Sequence, residues 1–171
     1  PEIIVVGMSS LIVWDGYEAS CQRRAMLEKR TNLPVTGGSF AVAEALKNFG
    51  AKTIGIISPY MPIANKHITQ FFTDVGFSVE SFIGLQCPSP VEIAHVTADE
   101  LSEALDQVDG TGIDALVQFG TNLHFMEQAA VEEEKRQKPV IAINSASYWH
   151  TLRLKNINAR YKKYGRLLAE F

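Results

Sequence analysis

Residues 53–60 read Thr53-Ile54-Gly55-Ile56-Ile57-Ser58-Pro59-Tyr60. Three isoleucines within five residues, halted by a serine and a proline, make a short β-rich run that ends in a turn. On either side lies a stretch of helical period. Residues 39–49 place apolar side chains at three- and four-residue spacing and stop at Gly50, while residues 62–75 open on Pro62 and stop at Gly76. A helix, a buried strand and a second helix in that order form one unit of a parallel sheet, so the fold class is α/β.

The same alternation extends outward in both directions. Apolar runs at residues 2–6, 78–83, 115–119 and 140–143 read as further strands. Helical stretches separate them, at residues 16–31, 125–137, 145–154 and 160–170, and Thr97 with Glu100 three residues later forms a capping box that opens a helix to about residue 108. Residues 84–90, with Cys87-Pro88-Ser89-Pro90, are read as a loop, because each proline removes a donor and restricts the residue before it. Such a loop at the carboxyl end of a parallel strand is a candidate pocket wall.

Bulk composition narrows the function classes. Hydrophobic residues make up 46% and charged residues 20% of the 171 residues, the balance of a globular domain with a core. The net charge is −3 and the basic stretches at residues 23–30 and 160–166 are broken by apolar side chains, so no nucleic-acid partner is expected. No apolar run is long enough to span a bilayer and no signal-peptide pattern opens the chain. The default expectation is a cytoplasmic protein without a membrane partner. Cys21 and Cys87 are too few for a disulfide framework and read as free thiols, Cys21 as buried core. His67, His95, His124 and His150 show no metal-ligand spacing, and no Gly-x-Gly-x-x-Gly marks a dinucleotide site. Neither metal nor organic cofactor is expected. The chain starts at Pro1 directly into Ile3-Ile4-Val5-Val6, from which an upstream portion is expected.

Two strand ends echo one another. Val5-Val6-Gly7-Met8-Ser9-Ser10-Leu11 and Gln118-Phe119-Gly120-Thr121-Asn122-Leu123 each run from a strand into small, hydroxyl or amide residues and then leucine, so that Met8 aligns with Gly120, Ser9 with Thr121 and Ser10 with Asn122. Small residues let backbone N–H groups approach an anion, and the polar side chains add donors. Capping preference alone also produces such turns. A third turn, Ser58-Pro59-Tyr60, sets a phenol at a strand end, with Asn65 five residues on.

Taken in order, Ser58-Pro59-Tyr60, Asn65, Phe71-Phe72, Gly76-Phe77, Gly84-Leu85, Ile93-Ala94-His95-Val96, Gly120-Thr121-Asn122-Leu123, Lys138-Pro139-Val140-Ile141-Ala142-Ile143-Asn144, Trp149-His150 and Tyr164-Gly165-Arg166-Leu167 resemble the maleate isomerase and arylmalonate decarboxylase branch of the aspartate/glutamate racemase superfamily. The resemblance implies two Rossmann-like halves with parallel sheets related by a pseudo-two-fold axis, a small carboxylic acid bound between them and no cofactor. It assigns residues 1–37 to the rest of an incomplete N-terminal half, 38–147 to the second half and 148–171 to helices packing back on the first. A homo-oligomer is compatible with it.

The resemblance also implies site roles. Each half can carry a cysteine at its turn. Here those positions fall on Met8 and Gly120, and neither a thioether nor a glycine can donate a proton. Ser9, Ser10, Tyr60 and the backbone of Thr121 and Asn122 match an oxyanion pocket able to hold a carboxylate and stabilise an enediolate. Tyr60, His124 and water are the candidates for a replacement proton carrier, and Cys87 is the thiol that a displaced nucleophile would use. A cysteine placed at position 120 is then expected to restore decarboxylation. Two functions follow: a cofactor-independent isomerase or decarboxylase of small mono- or dicarboxylic acids, and a non-catalytic carboxylate-binding relative.

Overall fold

The computed structural model describes residues 1–171. In chain order the elements are β1 (Ile4–Val6), α1 (Ser9–Ile12), α2 (Gly16–Thr31), β2 (Val35–Gly37), α3 (Gly38–Asn48), β3 (Thr53–Ser58), α4 (Pro62–Val75), β4 (Ser78–Gly84), α5 (Pro90–His95), α6 (Ala98–Val108), β5 (Ala115–Gln118), α7 (Met126–Arg136), β6 (Val140–Ala142), α8 (Ile143–Leu154), a 3-10 turn (Lys162–Tyr164) and α9 (Arg166–Glu170). They build two parallel sheets, a pair β1-β2 and a four-stranded sheet in the order β4-β3-β5-β6. This is the α/β parallel architecture that the sequence pattern predicts.

The central strands are buried on both faces, which is why they read as unbroken apolar runs. On β3, Ile54 and Ile56 join a cluster of 24 buried residues shared with α3, α4, α8 and α9, while Ile57 joins the 12-residue cluster under α6 and α7. On β5, Ala115 and Val117 point to the first cluster and Leu116 to the second. Phe72 anchors the larger cluster, edge-on to Phe71, Phe77 and Phe119 at centroid distances of 5.3, 6.3 and 5.9 Å. Truncating such a ring to alanine costs about 3–5 kcal/mol, a large part of a domain's net stability.

Local chemistry explains the helix ends. Thr97 accepts the Glu100 N–H while the Glu100 carboxylate takes the Thr97 N–H, completing the capping box, and Gly76 closes α4 in the left-handed region at φ 105°. Asp74 of α4 reaches across to accept the Tyr17 N–H at 3.0 Å, which helps fasten the start of α2 to α4.

Several expectations need correction. Residues 35–37 form a strand, β2, that the Gly37-Gly38 turn signal disguised. Residues 90–95 are helical because Ser89 caps the segment by accepting the Glu92 N–H, with Pro90 in the first turn where a missing donor costs nothing. The C-terminal helix expected over 160–170 is split, since Gly165 at φ 85° separates the 3-10 turn from α9. Ile143 begins α8 instead of ending β6. Cys21 is half-buried, packed against the larger cluster by its edge. No helix is long and apolar enough to cross a membrane.

Candidate active site

Strands β1, β3, β5 and β6 all end toward the same region, and hydrogen bonds stitch their turns together there. Thr121 donates its hydroxyl to the Gly7 carbonyl at 2.8 Å, tying the turn after β5 to the turn after β1 across the two sheets. Asn144, at the start of α8, donates to the Thr121 carbonyl at 2.9 Å, and Asn122 donates to the Pro90 carbonyl at 2.6 Å. Ser9 Oγ and the Tyr60 hydroxyl lie 3.1 Å apart. Ser9 is fully buried and Tyr60 half-buried, its ring lying between the two apolar clusters.

The donors at this junction divide into used and free. The side chains of Thr121 and Asn122 donate to the Gly7 and Pro90 carbonyls, and so help to organise the turn. The backbone N–H groups of Thr121 and Asn122 have no acceptor within the chain. Two successive free N–H groups beside a phenol and two serines are the donor set that a carboxylate needs. Long helix N-termini at the two turns do not supply these donors: α1 has four residues, and α7 begins only at Met126, beyond the Thr121 turn.

Met8 is exposed at the mouth of the first turn, and Ser10 beside it is half-buried. Gly120 sits at φ 147°, and a Cβ there would lie 2.5 Å from Pro59 Cδ and 2.7 Å from Pro59 Cγ. A side chain at position 120 therefore needs both a strained backbone and a shift of a buried proline. A cysteine at 120 on this backbone has to displace Pro59 as well as supply a thiol.

The other named groups are dispersed. His124 is exposed, precedes α7 and makes no hydrogen bond. Cys87 is half-buried in the loop after β4 and lines a cavity of about 390 Å³ with His95, Glu92 and Glu100. Burial raises its thiol above the ordinary value, and Glu100 and Glu92 push it the same way against a backbone hydrogen bond. His150 stands 2.8 Å from Thr36 Oγ1, and burial holds its imidazole below the usual value. His67 is half-buried on α4; it stacks on Trp14 at 4.1 Å and accepts the Asp15 N–H at 3.3 Å. No group of three or more His, Cys, Asp or Glu is arranged to hold a metal ion.

None of the five main cavities, which run from 310 to 750 Å³, is lined by Ser9, Ser10, Thr121 or Asn122. The largest lies between α7 and the C-terminal segment. Two of its cations are already paired, Lys163 with Glu127 and Lys138 with nearby Asp109, and it contains none of the residues at the junction of turns. Sequence reasoning marks the loop ending at Pro90 as a candidate pocket wall but assigns no role to Asn144, because a helix-start asparagine has no signature of its own.

Comparison with known proteins gives the wider setting. The chain is 24% identical over 160 residues to the maleate isomerase of Alcaligenes faecalis, covering 91% of this chain and 63% of that protein, so it spans under two thirds of that relative's length. The maleate isomerase of Geobacillus stearothermophilus is also 24% identical, over 157 residues, covering 90% of this chain and 62% of its own length. Among solved structures, the Nocardia farcinica maleate cis-trans isomerase with a covalently bound succinylcysteine intermediate superposes with a TM-score of 0.95 at 18% identity, over 100% of this chain and 72% of that one. An arylmalonate decarboxylase superposes with a TM-score of 0.87 at 20% identity, over 98% and 75%. The arylmalonate decarboxylase family model matches residues 2–168, and the chain belongs to that family.

Proposed function

We propose that the chain supplies the carboxylate-holding part of an isomerase or decarboxylase that acts on a small carboxylic acid. The observation that carries this is the Ser9–Tyr60 contact of 3.1 Å beside the unpartnered N–H groups of Thr121 and Asn122. The relatives are maleate isomerases and an arylmalonate decarboxylase, so the acids to consider are an unsaturated dicarboxylate and a substituted malonate. One substrate carboxylate accepts from Tyr60 Oη, Ser9 or Ser10, and the two N–H groups. Negative charge that grows on those oxygens when a carboxylate leaves or an α-proton is removed meets donors already aimed at it. Met8 and Gly120 provide no acid, which leaves the Tyr60 phenol, His124 or water as proton carrier.

A second reading has its own observation. Pro59 fills the space that a side chain at 120 would occupy, as in a site kept for binding a carboxylate without turning it over. Incubating the protein in deuterated water with small mono- and dicarboxylic acids separates the two. Deuterium entering the α-carbon or conversion of a cis to a trans dicarboxylate supports catalysis; binding without either supports the carboxylate-binding relative; neither binding nor conversion removes both.

A further inference from the structure

Tyr60 can serve the anion pocket only if its backbone is held where the phenol reaches Ser9, and the groups that hold it form a closed relay. Ser58, fully buried at the end of β3, donates its hydroxyl proton to Asn65 Oδ1 at 2.6 Å. With its proton so directed, Ser58 Oγ turns a lone pair to the Tyr60 N–H and accepts from it at 3.2 Å. Asn65 Nδ2 faces the Tyr60 carbonyl at 3.5 Å, a distance at which it orients more than it binds. Across the gap, Gly84 ends β4, and a Cβ there would collide with Asn65 Nδ2 and lie 2.8 Å from the Tyr60 carbonyl oxygen. Asn65 thus occupies a slot that exists because residue 84 has no side chain.

The geometry points to Asn65 as a positioning residue for Tyr60, acting through the Ser58 hydroxyl and seated by Gly84. The inference rests on the reading of Tyr60 as a carboxylate ligand only for its consequence in binding. The relay itself stands independently, because a serine hydroxyl has one proton and rotates freely unless an acceptor fixes it. Without Asn65 Oδ1, that proton can turn toward the Tyr60 N–H, and the acceptor that orients the Ser58-Pro59-Tyr60 turn is lost.

Fluorotyrosine NMR reads the relay directly. The chain has five tyrosines, and Tyr60→Phe assigns the Tyr60 signal. Asn65→Leu fills the slot with a side chain of similar size and no acceptor, and should shift the Tyr60 signal while leaving the other four in place. Asn65→Asp keeps the acceptor and should hold that signal near its original position. Ser58→Ala breaks the same relay and should reproduce the shift, which keeps the test decisive if Asn65→Leu does not fold. Gly84→Ala should also move the signal, whereas Gly112→Ala, where a Cβ meets nothing within 4 Å, should not. In the binding arm, Asn65→Leu should weaken malonate about tenfold, and the double variant with Tyr60→Phe should be no weaker than Tyr60→Phe alone. An unmoved Tyr60 signal in both Asn65→Leu and Ser58→Ala, or an equal shift in Asn65→Asp and Asn65→Leu, overturns the assignment. Failure of the unaltered protein to bind malonate sinks the carboxylate reading instead, and the NMR arm still judges Asn65.

Discussion

Ser9 Oγ and Tyr60 Oη meet at 3.1 Å although 51 residues separate them, one from the sheet β1-β2 and the other from the four-stranded sheet. Each can hand its proton to the other or to a ligand, so an anion arriving between them finds two hydroxyls that reorient without moving a heavy atom.

Tyr60→Phe and Ser9→Ala should each weaken malonate or maleate binding, by about tenfold where one hydrogen bond to a charged oxygen is lost. The double variant should lose less than the sum of the two, because each single change already breaks the pair. Titration calorimetry on the four proteins checks this, and additive losses would show that the two hydroxyls act on separate ligand atoms.

Gly120→Cys should destabilise the protein by about 1–3 kcal/mol, because the added Cβ meets Pro59 and the backbone stands at a positive φ. Urea unfolding measures the loss. Adding Pro59→Ala should recover the part due to the clash but not the part due to φ. Full stability in Gly120→Cys would mean that this turn relaxes freely.

The buried carboxylate of Glu133 gives a pH signature. Its Oε2 accepts the Arg166 N–H at 2.6 Å and its Oε1 the Val140 N–H at 3.4 Å, but burial outweighs these bonds and raises its protonation above the ordinary carboxylate range. A raised folded-state value means that the folded chain holds the proton more tightly than the unfolded one. The stability Glu133 contributes is therefore full below the unfolded value and falls as pH rises through the folded value. The cost of Glu133→Ala should be larger near about pH 4 than near about pH 8, judged from urea midpoints of both proteins at each pH. A cost that grew with pH would contradict the burial argument.

Alkylation should leave carboxylate binding intact. Positions 8 and 120 carry no thiol, and the Cys87 thiol is pushed up by burial and by Glu100 and Glu92, so little of the reactive thiolate forms near neutral pH. Iodoacetamide treatment followed by mass spectrometry and malonate titration tests this. Loss of binding in step with Cys87 modification would make that loop part of the site.

The parts of the fold that could be read in advance were those with a period. The strand at 53–57 and the helices at 62–75 and 98–108 carry apolar faces long enough to outweigh local noise, and Gly76 and the Thr97–Glu100 box mark ends that backbone chemistry enforces. Segments of three to six residues were not readable in this way. Val35–Gly37 is a strand only because β1 lies beside it, and Pro90–His95 is a helix at whose entrance Pro88 and Pro90 looked like breakers until Ser89 proved to be its cap. At the site, Ser9, Tyr60 and the Thr121–Asn122 turn were nameable from residue type and order. That the Thr121 and Asn122 side chains donate to Gly7 and Pro90 was not, since the direction of a short polar side chain depends on which carbonyl the tertiary fold brings within reach.

Pro59 against Gly120 also bears on how such a site can change over generations. A cysteine arising at 120 on this background enters an occupied space, and its benefit is opposed by a loss of stability until Pro59 or the neighbouring backbone gives way. The reverse order is no easier, because losing Pro59 first removes a buried ring from beside a glycine that has nothing to put in its place. The two positions are epistatic, so a lineage on this backbone regains a thiol there most readily when both residues change together.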